Sequence, residues 1–167
     1  GYGQTGPKAA VAGHDLNYVG DAGILSLSRG PDDDPTMPFG LIADIGGGTY
    51  PAVVNILLAL IARQASGRGT HLDIAMSEGA FAFAYWAHAE GVISGQETRN
   101  ASGRLTGGLA RYRLYTAADG RQIAVGALEE KFWQAFCDVI GQPQDLRDDW
   151  SDPVACAAEV ARRLGDQ

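Results

Sequence analysis

Three short stretches of the sequence hold side chains that can transfer protons or attack an acyl group. His14 lies in Gly-His-Asp-Leu-Asn-Tyr over residues 13–18, Asp44 precedes a run of three glycines, and Glu129 ends Gly-Ala-Leu-Glu over residues 126–129. Imidazole and carboxylate groups act as general acids and bases, and a carboxylate is also a nucleophile. Each stretch alone is weak evidence, so the elements that position these groups matter.

Asp44 and the glycines after it have both a structural and a functional explanation. A carboxylate at a helix N-terminus is favoured by the helix dipole. His14 has a structural explanation as well, because a histidine in a loop is commonly a hydrogen-bonded surface residue. Gly46, Gly47 and Gly48, however, would let the backbone approach a ligand closely. The free N–H groups of a helix start can hold an anion or a developing oxyanion.

A strongly apolar helix is predicted directly after this glycine run, from about residue 49 to residue 64. Thr49 can cap it, Pro51 lies in its first turn, where a missing N–H costs nothing, and Gly67 lies just past its end. Its aliphatic side chains leave almost no polar face, so we expect burial on nearly all sides. They are Val53, Val54, Ile56, Leu57, Leu58, Leu60 and Ile61.

The rest of the pattern predicts an α/β chain in two parts joined by a linker rich in glycine, serine and threonine. We expect residues 1–93 to belong to one domain, residues 94–108 to form the linker and residues 109–167 to belong to a second domain. The predicted elements are helices over 16–28, 77–91, 130–140 and 152–164, a short strand over 69–75, a solvated loop over 29–35 and a β-hairpin over 112–125.

Composition and charge exclude some functions. The formal net charge of −7 argues against a nucleic-acid-binding surface, which needs a basic patch. Cys137 and Cys156 show neither zinc-site nor disulfide-framework spacing. No apolar run reaches the roughly 18 residues that span a membrane, and the start does not resemble a signal peptide. We therefore expect a cytoplasmic protein with no membrane or nucleic-acid partner, and the two ends resemble those of an internal piece of a longer chain.

In this order, the three motifs resemble the active site of the α-methylacyl-CoA racemase group within the class III CoA-transferase (CaiB/BaiF) family. Residues 13–18 match the racemase pattern Gly-His-Asp-(Leu/Ile)-Asn-Tyr, whose histidine the plain CoA-transferases lack. The resemblance runs from residue 1 to about residue 150. It implies the central part of that fold: the end of a Rossmann-like large domain, which binds CoA, and part of a small α+β domain.

The resemblance implies a role for each candidate residue. His14 and Asp44 would exchange a proton with the carbon α to a CoA thioester, with backbone N–H groups of residues 44–48 holding the enolate oxygen. Glu129 would pair with the histidine, although the family usually has proline where this chain has Glu130, so either glutamate could face the site. Asp15, Tyr18 and the three glycines would border the acyl-CoA. No tightly bound cofactor and no metal is implied, because coenzyme A is part of the substrate.

Two alternatives remain open. In a class III CoA-transferase, Asp44 would attack the thioester and an aspartyl-CoA intermediate would follow. Alternatively, the chain is a structural or dimerisation segment, because the N-terminal portion that binds much of the CoA in the family does not appear here. The family forms intertwined homodimers, so the resemblance also implies a second copy as a partner, with Glu129 near the partner's His14.

Overall fold

The computed structural model describes residues 1–28, 34–95, 98–100 and 102–166. The chain forms two compact units, Gly1–Thr98 and Arg99–Gln167. The boundary falls inside the span predicted as a linker, whose residues 96, 97 and 101 lie outside the described part. Residues 29–33 of the predicted loop over 29–35 also lie outside it.

The elements of the first unit are helices and helical turns, joined by irregular segments that include residues 1–14, 34–41 and 67–75. Its elements are α1 (Asp15–Asp21), α2 (Ile24–Leu27), a π-helix (Ile42–Thr49), α3 (Tyr50–Ser66), α4 (Met76–Phe81), a 3-10 turn (Ala82–Ala84) and α5 (Tyr85–Ser94). The predicted helix over 16–28 is broken in two at Gly23, whose φ of 79° is left-handed. The core joins α1, the π-helix and α4 through Tyr18, Val19, Ala22, Ile24, Ala43, Ala80 and Ala84.

Two predictions for this unit are wrong. Residues 69–75 form no strand, because no other described segment pairs with them, and a strand without a neighbour has no ladder of hydrogen bonds. The Thr49 side chain does not cap α3, because Thr49 is the last residue of the π-helix and its hydroxyl donates to the carbonyl of Asp44.

Helix α3 forms as predicted, with Pro51 in its first turn and Gly67 in a left-handed conformation at its end, but its predicted burial is wrong. None of its residues is buried, and the seven aliphatic side chains named above are 49–63% exposed. The core beneath α1 and α4 does not reach them. An apolar surface of this extent requires cover that the described residues do not provide.

The prediction that no apolar segment is long enough to cross a membrane also needs correction. The π-helix and α3 are continuous, and Ile42–Ser66 is a 25-residue helix that is long and apolar enough for a span. This segment contains no long unbroken apolar run, because glycine, threonine and asparagine residues interrupt its apolar side chains. Core helices of soluble proteins can have the same length and composition.

The second unit is a hairpin packed on helices. Strands β1 (Tyr112–Thr116) and β2 (Gln122–Gly126) pair antiparallel, Tyr112 opposite Gly126, and α6 (Glu130–Ile140), a 3-10 turn (Gln144–Leu146) and α7 (Pro153–Gly165) follow. The predicted hairpin and both predicted helices are confirmed. Their buried side chains include Tyr115, Val125, Trp133, Cys137, Ile140, Cys156, Val160 and Leu164. Burial raises the pKa of Cys137 to about 11 and that of Cys156 to about 12.

Candidate active site

The backbone of His14 is fixed by hydrogen bonds on both sides of the residue. Its N–H donates to Oδ1 of Asn17 over 2.9 Å. Its carbonyl accepts from the N–H groups of Asn17, at 2.9 Å, and Tyr18, at 3.3 Å. The exposed imidazole therefore projects from a rigid start of α1. Sequence reasoning placed Asn17 in the motif but gave it no role, although a polar residue three positions into a helix is a common partner for the capping backbone.

Tyr18 supports the same loop from within the core. Its hydroxyl donates to the carbonyl of Gly13 over 2.8 Å, and the residue is only 3% exposed. A Cβ on Gly13 would lie 2.9 Å from the Tyr18 ring, which is closer than real Cβ contacts. The ring of Tyr2 packs edge-on against Tyr18 with centroids 4.9 Å apart. Four of the six motif residues, at positions 13, 14, 17 and 18, thus form one hydrogen-bonded unit.

Asp44 is held at both of its peptide groups by side chains. Its N–H donates to Oδ1 of Asp15 over 2.8 Å, and its carbonyl accepts from the hydroxyl of Thr49 over 2.9 Å. Asp15 is 7% exposed, and its burial is compensated by this bond. Because Asp15 follows His14 directly, one side chain connects the histidine loop to the backbone of Asp44.

His14, Asp15 and Asp44 line one pocket of about 520 Å³. Its other wall is apolar and is formed by Leu16 and residues 37–41, in which the side chains of Met37 and Phe39 are largely exposed. The volume is in the range of small-molecule sites. A larger pocket, of about 650 Å³, lies between α2 and α5, and its described lining includes His88 but no carboxylate.

The three glycines after Asp44 lie against α4 and its neighbour Phe83. A Cβ on Gly47 would be 2.5 Å from the carbonyl oxygen of Met76, and a Cβ on Gly46 would be 2.7 Å from the ring of Phe83. On Gly48 it would be 2.7 Å from Cγ of Met76. The close approach that these glycines allow is therefore to the protein itself, and it fixes the position of the π-helix that carries Asp44.

Two of the backbone N–H groups expected to hold an enolate oxygen already have acceptors in the protein. The N–H of Asp44 donates to Asp15, and that of Ile45 donates to the carbonyl of Leu41 over 3.1 Å. π-helical turns of this kind occur often at functional sites. Among the described residues, no three His, Cys, Asp or Glu side chains cluster in a way that could hold a metal ion.

Glu129 lies in the second unit, at the start of α6. Its carbonyl accepts from the N–H groups of Phe132 and Trp133, at 2.9 and 3.0 Å, and its side chain is exposed. Glu130 instead accepts from Nε2 of Gln134 over 2.7 Å and from Nη1 of Arg111 over 3.0 Å. Both hydrogen bonds lower the pKa of Glu130, and the bond from Gln134 has the larger effect. The structure thus brings His14, Asp15 and Asp44 around one pocket and places Glu129 in the other unit.

Comparison with known proteins decides the family. A sequence profile described as CoA-transferase family III matches residues 1–164. The chain belongs to this family. Human alpha-methylacyl-CoA racemase is 32% identical over 166 residues, which cover 96% of this chain and 44% of that protein. Acetyl-CoA:oxalate CoA-transferase of Acetobacter aceti is 30% identical over 148 residues, 86% of this chain and 36% of the relative.

The fold agrees with this family. A crystal structure of a CAIB/BAIF family protein from Brucella suis superimposes with a TM-score of 0.71 at 25% identity, covering 98% of this chain and 43% of that one. The predicted family and fold are therefore confirmed. The chain spans less than half the length of these relatives. Because racemases and CoA-transferases both occur among them, membership of the family leaves the reaction open.

Proposed function

We propose that the chain supplies catalytic residues of an acyl-CoA racemase that moves a proton at the carbon α to a CoA thioester, of the 2-methylacyl-CoA type. The observation that supports this most strongly is that His14 and Asp44 line the same pocket and that Asp15 connects them. An imidazole and a carboxylate at one pocket provide the two groups that a 1,1-proton transfer needs. The similarity to alpha-methylacyl-CoA racemases, at 32% and 37% identity, also favours it.

In the proposed reaction, neutral His14 accepts the proton of the α-carbon, and the electron pair of the broken C–H bond moves onto the thioester oxygen as an enolate. The protonated carboxyl group of Asp44 then gives its proton to the opposite face of the same carbon, and the carbonyl re-forms. The configuration is inverted, and the two groups exchange roles in the reverse direction. The apolar wall of residues 37–41 holds the acyl chain beside them.

The proposal extends to a homodimer in which Glu129 orients the partner's His14. A carboxylate that accepts from one ring nitrogen fixes the tautomer and leaves the other nitrogen free to accept a proton. Coenzyme A enters only as part of the substrate, and no metal takes part.

The test is exchange of the α-proton with solvent, measured by mass spectrometry of a 2-methylacyl-CoA incubated with the intact protein in D2O. We expect incorporation of one deuterium with the wild type and a loss of at least about 100-fold in His14→Ala and Asp44→Asn. His71→Ala changes an exposed histidine outside this pocket and serves as the matched control. Absence of exchange by a folded wild type would overturn the proposal.

A CoA-transferase is the second candidate, favoured by the transferase relatives and by the fixed backbone of Asp44. Here the carboxylate of Asp44 attacks the thioester carbonyl and expels the CoA thiolate, giving a mixed anhydride. The thiolate then attacks the Asp44 carbonyl and releases the free acid, leaving an aspartyl-CoA thioester. Hydroxylamine would convert that thioester to a hydroxamate, detectable by mass spectrometry on tryptic peptide 30–63. No hydroxamate after incubation with acyl-CoA would exclude this route.

A further inference from the structure

A single arginine holds the residues on both sides of Glu129. The main-chain carbonyl of Arg111 accepts from the N–H of Ala127 over 2.8 Å. Its Nη1 donates to the carbonyl of Leu128 over 3.3 Å and to the carboxylate of Glu130 over 3.0 Å. Positions 127, 128 and 130 are thereby fixed. Among the described residues, the exposed side chain of Glu129 between them has no hydrogen-bond partner.

Arg111 is itself immobilised in the core of the second unit. Its Nε donates to Oδ1 of Asp149 over 2.8 Å, and its main-chain N–H donates to Oδ2 over 3.1 Å. Its Nη2 forms an ion pair with the same Oδ1 at 2.7 Å. Arg111 is 4% and Asp149 0% exposed, and the guanidinium lies 5.3 Å from the ring centre of Trp133. A planar guanidinium with several charge-assisted bonds keeps one orientation. Burial opposes its charge, but the bonds to Asp149 and Glu130 outweigh burial, so the pKa of Arg111 is raised.

We propose that Arg111 is a positioning residue, which fixes the turn before α6 so that Glu129 is the carboxylate available to the reaction while Glu130 acts as an anchor. This inference rests on the proposed racemase function. A carboxylate that orients an imidazole has to be held within a fraction of an ångström. Loosening the turn would therefore lower turnover through Glu129 and leave the binding of acyl-CoA almost unchanged.

A double-mutant cycle on the intact protein tests whether Arg111 affects turnover through Glu129. Arg111→Lys keeps one charge for Asp149 but loses the fork that reaches Leu128 and Glu130. We expect kcat for α-deuterium exchange to fall by about 10-fold to 100-fold with KM within about twofold. In a Glu129→Gln background the same substitution should have little further effect, because its target is gone. Equal losses of kcat in both backgrounds, or no loss in the wild type, would overturn the proposal.

The ion pair between Arg111 and Glu130 gives a second test, which leaves the buried Arg111–Asp149 pair intact. The Glu130 side chain is 65% exposed. Glu130→Ala removes its contact with Arg111, which stays paired with Asp149. We expect a loss in kcat of about threefold to tenfold, restored by Glu130→Gln, whose amide oxygen still accepts from Arg111. If Glu130→Gln abolished exchange while Glu129→Gln retained it, the two glutamates would have the opposite roles.

Amide hydrogen exchange separates this inference from the proposed function. If the wild type shows no α-proton exchange, the racemase proposal fails, but protection of the amides of residues 127–133 still reports on the turn. We expect Arg111→Lys to speed their exchange by at least about tenfold. Arg121→Lys, at an exposed pair with Asp119 in the hairpin turn, is the matched control. Unchanged protection in Arg111→Lys would show that Arg111 does not fix this segment.

Discussion

The two units fix their candidate site residues by different means. In the first unit, His14 and Asp44 are held through their own peptide groups, and glycines bring backbone against backbone. In the second unit, the turn that carries Glu129 is held by a buried ion pair. Backbone packing is sensitive to the addition of a single methyl group, whereas a buried ion pair is sensitive to the loss of either charge. The two units should therefore fail under different substitutions.

The largest effect on stability is expected from breaking the buried Arg111–Asp149 pair of the second unit. Asp149→Ala would leave Arg111 buried with only its outer contacts, and removing one member of a buried pair costs about 3–5 kcal/mol in the free energy of unfolding. Urea denaturation measures it. Asp166→Ala, at an exposed pair with Arg162, should change stability little. Equal destabilisation by both variants would show that burial of the pair is unimportant.

Adding one methyl group tests the first unit. A Cβ on Gly47 would meet main-chain atoms of α4 at 2.5 and 2.6 Å, which cannot move independently of their helix. We expect Gly47→Ala to destabilise by about 1–3 kcal/mol and to lower turnover, because the π-helix carrying Asp44 must shift. Gly69→Ala, with no atom within 4 Å of its Cβ, is the control in thermal denaturation. A Gly47 variant as stable as the control would contradict the close packing.

A smaller effect is expected from removing one hydrogen bond beneath His14. Tyr18→Phe keeps the buried ring but loses the bond to the carbonyl of Gly13, which costs about 1 kcal/mol. Turnover should fall more than substrate affinity, since the loop that orients the imidazole loosens. Tyr85→Phe, at an exposed ring, is the control for both measurements. A change in affinity alone would indicate that Tyr18 contacts the substrate.

The smallest expected effect is an acid-dependent one on the surface of the second unit. Hydrogen bonds from Arg162 and then Arg163 lower the pKa of Glu159 to about 2. A carboxyl group whose pKa is lower in the folded state adds stability above its unfolded pKa, near 4.5, and loses it as pH falls towards 2. The melting temperature of Glu159→Gln should therefore lie slightly below that of the wild type at pH 6 and approach it at pH 2. A constant difference across this range would exclude the ion pairs as its cause.

Local patterns predicted the elements of the second unit well. In α6, Trp133, Cys137 and Ile140 recur at helical spacing and are all buried. The Asp119-Gly120 turn with alternating flanks predicted the hairpin. In α3 the pattern predicted the helix but not its exposure, because burial depends on what surrounds a helix and not on its own residues.

The contacts that position the site were not predictable from the sequence. Asp15 reaches Asp44 across 29 positions, and Arg111 reaches Asp149 across 38. No local pattern specifies such pairs. The glycines after Asp44 were visible, but whether they approach a ligand or a neighbouring helix depends on the position of α4. The candidate residues could thus be named in advance, and the side chains that hold them could not.

The π-helix has a consequence for the direction of the Asp44 side chain. An α-helix turns about 100° per residue, so Asp44 and the side chains of α3 would share one angular phase if the helix were α throughout. The wider turn over Ile42–Thr49 breaks that phase. Removing one residue there would restore the common phase and turn the Asp44 side chain to a different direction relative to α3. The direction of the Asp44 carboxylate therefore depends on the length of this segment as well as on the hydrogen bonds at its peptide groups.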